Sequence, residues 1–173
     1  MRWLPFQLNP DLPEAGIPRE DYVARKFGAR GKGVNERVTQ AGRQVGIPFA
    51  YEKMTVQPNT LNAHRLMYFA ERAGRQDELA EELFRAHFTE GANLTDREAL
   101  AEIAARAGLD RKAAADFLAS DADRDTIARA DVEARNAGIG GVPFFIFNRK
   151  VGVSGAQDPE TLLDAMEQAL QER

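Results

Sequence analysis

The sequence predicts an α/β fold in which helices pack on a small sheet. Three observations carry that expectation. Between residues 18 and 137, apolar side chains recur at helical spacing in segment after segment, most of them closed by a glycine. From Val142 the pattern changes to a continuous apolar run, "VPFFIF", followed by "NRK" and "VGVSG". A helical period then returns in "DPETLLDAMEQAL". The 173 residues are enough for one domain with a core, or for a small domain carrying an insertion.

Taken in order, "RWLPFQL" (2–8) is rich in large apolar residues and reads as a short strand. "NPDLPEAGIP" carries prolines and a glycine and is expected to be an irregular loop. Pro18 suits the first position of a helix through "REDYVARKF", with acids early, Lys26 late and Gly28 at the stop. The basic, glycine-rich "ARGKG" (29–33) reads as a solvated loop or a phosphate cradle, but lacks the strand and lysine context of a P-loop.

Val34, Val38, Ala41 and Val45 mark the next helix, ended by Gly46. "IPFAYEKM" is expected to be short and extended. Asn59 or Thr60 caps a helix whose stripe is Leu66, Phe69, Ala70 and Ala73. "DELAEELFRAHF" (77–88) sets Leu79, Leu83 and Phe84 on one side. "TDRE" (95–98) matches a capping box led by Thr95, ahead of the apolar face Leu100, Ile103, Ala104 and Ala107. Asp110 caps a short helix holding Phe117 and Leu118, and a further helix runs from about Asp123 to Ala137. The two apolar runs after it form a β-hairpin. In the terminal helix Asp158 caps, Pro159 takes the first position, and Leu162, Leu163, Met166 and Leu170 are expected to face inward.

Composition narrows the function. The net charge of −4 is spread along the chain, which speaks against nucleic acid as a partner. No apolar run approaches the roughly 20 residues that span a bilayer, and "MRWLPFQLNP" lacks the pattern of a signal peptide, so a cytoplasmic protein without a membrane partner is expected. The chain has no cysteine, which removes disulfides, thiolate nucleophiles and cysteine-ligated metals. Its two histidines, His64 and His87, have no converging carboxylates in their spacing, so no metal site is expected.

Six stretches then combine: "RWLPFQLNPDLPEAG", "KFG" (26–28), "NTLNAHRL" (59–66), "HFTEGANLTD" (87–96), "AGLD" (107–110) and "GVPFFIFNRKVGVSGAQ" (141–157). In this order they resemble the DsbA-like thioredoxin-fold proteins of the FrnE type. That group is also similar to 2-hydroxychromene-2-carboxylate isomerases and kappa-class glutathione transferases. The resemblance implies a thioredoxin-like fold, residues 1–17 and 123–173, with a large inserted helical domain, residues 18–122. It also implies that the first strand–Cys-x-x-Cys–helix unit, on the order of 30 residues, is absent from this chain. Either the start is assigned too late, with Met1 standing where relatives often carry valine, or the protein is a shortened scaffold. The absent strand would lie between "RWLPFQL" and "PFFIF". Without it two strand edges lie open, and the chain is expected to form a homodimer through them or to rearrange.

The resemblance also supplies candidate site residues. Pro143 stands where the family has a cis proline against its reactive residue, and the backbone of Val142 would anchor an extended thiol or peptide substrate; ordinary turn geometry is the alternative. Ser154, Gly155 and Gln157 form a loop at a helix start, suited to an anion such as a glutathione carboxylate, or merely to capping. Relatives that bind glutathione often carry an acid where Gln157 stands. Phe6, Asn9 and Pro10 would line the cleft from the other side. His64 lies on a helix that the family places near the cleft, but it has no thiol or hydroxyl to activate and reads as structural, as do His87 and Trp3.

No residue of this chain can take the family's nucleophile, so no catalytic residue is assigned and the chain is expected to be inactive in disulfide exchange. Three functions stay open: a protein disulfide oxidoreductase or isomerase of the DsbA and FrnE type whose cysteine pair is missing here, a glutathione-dependent isomerase or transferase, and a non-catalytic binding protein. No cofactor is implied beyond glutathione in the second. Some relatives serve polyketide biosynthesis, and nothing in these residues points there.

Overall fold

The computed structural model describes residues 1–28, 33 and 35–171. The predicted loop 29–32 and the helix-stripe residue Val34 lie outside them. The elements are β1 (Ile17–Pro18), α1 (Arg19–Phe27), α2 (Glu36–Gln44), β2 (Val56–Gln57), α3 (Leu61–Arg72), α4 (Gln76–Arg85), α5 (Arg97–Arg106), α6 (Arg111–Ala119), α7 (Arg124–Asn136), β3 (Phe144–Phe147), β4 (Val151–Ser154) and α8 (Pro159–Gln171). They form two compact units, Met1–Ala128 and Arg129–Arg173. Among the described residues, no helix is long and apolar enough to cross a membrane.

The first unit is built on the helical period. Leu66 and Ala70 of α3, Leu79 of α4, Leu100 and Ala104 of α5, and Ala114 and Leu118 of α6 are fully buried and share one core. Asp110 caps α6 through the Ala113 N–H at 2.7 Å, as expected. The cap of α5 is not the one the capping box suggests. Asp96 takes the position and accepts the Glu98 N–H at 2.9 Å, while Thr95 is spent on Asn93 Oδ1 at 2.8 Å. A carboxylate accepts an amide more strongly than a hydroxyl does, so the shorter reach from Asp96 wins. The Asn59 side chain serves α3 by accepting the Leu61 N–H at 2.9 Å.

Several expectations are corrected here. Residues 2–8 form no strand. No strand of the described residues pairs with them, and the Trp3 N–H and C=O are met instead by the Gln76 side-chain amide at 2.9 and 3.1 Å. Trp3 is half-buried rather than core, and its indole N–H donates to Asp77 at 2.6 Å. The loop after it ends in a ladder that the sequence conceals, Ile17–Pro18 against Val56–Gln57, so α1 starts one residue later than expected. The stretch expected to be extended turns as a 3-10 segment at Tyr51–Lys53. Val38 on α2 and Val45 just after it are exposed, and the buried contact is Gly42, against the Phe49 ring. Beyond α4 the chain widens into a π turn, Ala86–Glu90, and Phe84 lies half in solvent.

In the second unit β3 and β4 pair antiparallel, Phe144 opposite Ser154 and Phe147 opposite Val151. Asn148 and Arg149 take left-handed backbone angles at the turn, and the Lys150 N–H closes it on the Phe147 C=O at 2.9 Å. The Asn148 amide donates to the Ala169 C=O of α8 at 3.1 Å. α8 begins at Pro159 as expected, but its inward face is not the leucine stripe. Ala165 and Ala169 are buried, Leu162 is half-buried, and Leu163, Met166 and Leu170 are exposed. Small residues allow close helix approach to the hairpin, and the larger ones are displaced outward.

Candidate functional site

The hairpin positions the first group of candidates. The Val142–Pro143 peptide bond is cis. The Pro143 C=O accepts the Gly155 N–H at 2.8 Å, which extends the ladder past Phe144 and Ser154. Val142, Pro143, Ser154 and Gly155 are thereby held together at the open end of the hairpin. Gly155 has φ +86°, a left-handed angle that side chains strain to adopt. Beyond it the Gln157 N–H bonds the Gly155 C=O at 3.1 Å, and the Gln157 amide donates to the Ser154 C=O at 2.8 Å. The Gln157 side chain is therefore turned back on its own loop rather than presented to an anion.

This corner offers backbone groups at a half-exposed Val142 and one hydroxyl, that of Ser154. Val142, Pro143, Ser154, Gly155 and Gln157 bring no thiol, imidazole or carboxylate of their own. Chemically its backbone groups suit an extended chain lying alongside it.

The other candidates fall in the first unit. Phe6 is buried. Asn9 and Pro10 open a turn in which the Asn9 C=O accepts the Leu12 N–H at 3.3 Å. The loop that follows is pinned: the Asn59 amide donates to the Leu12 C=O at 2.7 Å, and Glu14 accepts from Arg97 at 2.8 Å, Arg124 at 3.2 Å and Asn62 at 3.3 Å. Arg97, then Arg124 and Asn62, hold the Glu14 carboxyl down at about 2, against a usual 4.5. His64 is half-buried on α3, its backbone N–H bonded to the Thr60 C=O at 3.0 Å. His87 is buried, with Nδ1 3.1 Å from the Ala92 C=O and its ring 4.9 Å from that of Phe88. Burial holds His87 below the usual imidazole range, because the charged form is disfavoured away from water.

Two residues that the sequence reading passed over organise the first unit. Arg65 is fully buried, donating to the Asn62 side chain and to the C=O groups of Phe117, Ser120 and Ala122. Glu14 ties the proline-rich loop to three helices. A signal for Arg65 exists, because it falls between Asn62 and Phe69 on the apolar face of α3. Two shallow surface grooves, one beside Arg2, Glu71 and Asp77 and one beside Glu78, Glu82 and Arg106, contain none of the candidate residues. Among the described residues, no three His, Asp or Glu side chains converge as a metal-holding group.

Residues 1–167 match the DSBA-like thioredoxin domain. The chain belongs to this family. Its fold is the thioredoxin-like fold of DsbA proteins with a helix-rich body, as the resemblance implied. This DsbA-like chain is similar to the crystal structure of a probable DsbA oxidoreductase from Streptomyces coelicolor, with 29% identity and a TM-score of 0.86. The match covers 97% of this chain and 74% of that one. No curated protein matches it.

Proposed function

We infer that this DsbA-like chain is the substrate-facing scaffold of a cytoplasmic thiol–disulfide oxidoreductase of the FrnE type. Its reactive cysteine pair would lie outside these 173 residues. One observation carries the reading: a member of the DsbA-like family with Pro143 at the head of β3 has no cysteine of its own. Residues 1–17 and 123–173 would form the thioredoxin-like part and 18–122 the inserted helical part. A thiolate of that pair would attack a substrate disulfide, forming a mixed disulfide and releasing the other substrate sulfur as a thiolate. The second cysteine of the pair then displaces the first substrate sulfur. The pair ends oxidised and the substrate reduced by two electrons.

In this role Val142 and Pro143 hold the substrate backbone, and Ser154 and Gly155 brace them. The 173-residue chain is expected to give no turnover in an insulin-reduction assay, and turnover would refute the reading. The N-terminal peptide and intact mass of the protein from its native host are expected to reveal an upstream Cys-x-x-Cys. A serine there, with measurable glutathione affinity, would move the assignment to the isomerase class. A native chain starting at Met1 would leave a binding protein.

A further inference from the structure

We propose that Arg19 binds the carboxylate of a small acid whose apolar body meets the aromatic rings beside it. Arg19 opens α1 directly after the β1–β2 ladder, and its backbone N–H donates to the Thr55 C=O at 2.9 Å. Its Nη1 donates to Gln57 Oε1 on β2, also at 2.9 Å. The guanidinium lies over the Tyr51 ring, 5.6 Å from its centre. Tyr51 is stacked on Phe49 with the ring centres 5.3 Å apart, and Phe88 meets the two edge-on at 6.3 and 5.9 Å. The Ala50 N–H, donating to the Phe88 C=O at 2.8 Å, ties this 3-10 segment to the π turn. A strand and a cluster of rings thus fix the half-buried guanidinium before any ligand arrives.

What this cation lacks is a counter-charge. Among the described residues Gln57 is the one hydrogen-bond partner of its side chain, and no carboxylate pairs with it. The carboxylates nearest in sequence, Glu20, Asp21 and Glu52, are exposed. Elsewhere the chain pairs its arginines readily, and Glu14 alone takes two. A guanidinium is a planar fork of donors, and an edge left unused matches a carboxylate. One fixed cation suits a singly charged group better than a doubly charged phosphate. The apolar half of the site is aromatic: Phe88 is half-buried, and Phe84, 6.2 Å from it, is 50% exposed. The charge of Arg19 also reaches His87, whose ring packs on Phe88. Burial first, and then Arg19, lower the His87 pKa, so an anion seated on Arg19 raises it.

The probe is phenylacetate, titrated at low salt into the 173-residue chain and into the protein from its native host, and followed by NMR. Saturable shifts centred on Arg19, Tyr51 and Gln57 are expected, together with a rise in the His87 pKa. Acetate, which has the charge without the ring, is expected to bind about fivefold more weakly, inorganic phosphate more weakly than phenylacetate, and benzylamine not at all. Arg19→Gln, checked for folding by circular dichroism, is expected to weaken binding by at least about tenfold and to abolish the response of His87. Gln57→Glu keeps Arg19 but gives it a carboxylate from β2, and is expected to lose binding as well. Absence of saturable shifts, or shifts centred elsewhere, would overturn the proposal. Undiminished binding by either variant, or equal binding of benzylamine, would do the same. So would binding to the 173-residue chain alone, since a segment of the native protein would then occupy Arg19. None of these readouts depends on whether the protein exchanges disulfides.

Discussion

Replacing Arg65 by methionine tests the account of the first unit most sharply. The side chain is fully buried, and its guanidinium reaches Asn62 Oδ1 at 2.8 Å and the C=O groups of Ala122 at 2.8 Å, Phe117 at 3.1 Å and Ser120 at 2.6 Å. It also lies 5.2 Å from the centre of the Phe117 ring. It thus braces the C-terminal end of α6, where the Phe117 C=O also accepts the Ser120 N–H at 3.2 Å and the Ser120 hydroxyl at 2.7 Å. Burial pulls its pKa down, yet a guanidinium stays charged in proteins. Methionine keeps the stem and loses every donor. Hydrogen bonds to a charged group contribute about 1.5–3 kcal/mol each, net of desolvation. Ser120 and Ala122 are exposed residues, and water replaces the guanidinium at their carbonyls. Counting the bonds to Asn62 and Phe117 alone gives a loss of about 3 kcal/mol. With a urea slope of about 2 kcal/mol per molar, the unfolding midpoint moves down by about 1.5 M. Arg65→Lys keeps the charge but cannot span three carbonyls, and is expected to lose about 2 kcal/mol. Urea unfolding followed by circular dichroism reads both variants. A methionine variant within about 0.3 M of wild type would refute the reasoning, as would a lysine variant equal to it.

Two further perturbations act on the loop between Asn9 and Pro18. The folded pKa of Glu14 lies below its usual value, so its contribution is present above about 4.5 and lost as pH falls toward 2. Its side chain is 46% exposed, so screening cuts that contribution to about 1 kcal/mol; Glu14→Gln is expected to lower stability by that amount at pH 7 and by almost nothing at pH 2, read by urea unfolding at both. Gly16 has φ +72°, and a Cβ there would stand 2.6 Å from the Gln57 C=O oxygen and 2.7 Å from Val56 Cγ1. Gly16→Ala is expected to cost about 2–3 kcal/mol through backbone strain and displacement of β2, seen as a fall in Tm of roughly 5–10 °C; an unchanged Tm would show that the ladder gives way freely.

The helical period made most of the fold legible. It located α1 to α8 to within a few residues, because burial of a stripe on a long helix leaves a repeated mark. What escaped it was decided by single contacts. The β1–β2 ladder is two residues long and includes a proline, so it has no period to read. Residues 2–8 have the composition of a strand, but a strand also needs a neighbour, and the Gln76 amide served Trp3 instead. At α5 two adjacent residues were each fit to cap, and geometry chose Asp96. At the candidate site, the hairpin and the proline before it were visible as residues. The link from Pro143 to Gly155 and the inward turn of the Gln157 amide were not, because both depend on the register of the ladder.

The composition of β3 bears on what surrounds it. Antiparallel strands with one solvated face alternate apolar and polar residues, whereas strands covered on both faces are apolar throughout. β4 alternates, with Val151 and Val153 on one face and Gly152 and Ser154 on the other. β3 does not: Phe144, Phe145, Ile146 and Phe147 include no polar residue. On the Phe145 and Phe147 face, the two parallel rings lie 6.4 Å apart and sit with the valines of β4. On the other face Phe144 lies over Gly152, where an added Cβ would come within 3.0 Å of its ring. Ile146 has no such shelter and is 47% exposed. The hairpin alone would tolerate a polar side chain at 146. An isoleucine there, beside three phenylalanines, gives β3 the composition of a strand covered on both faces.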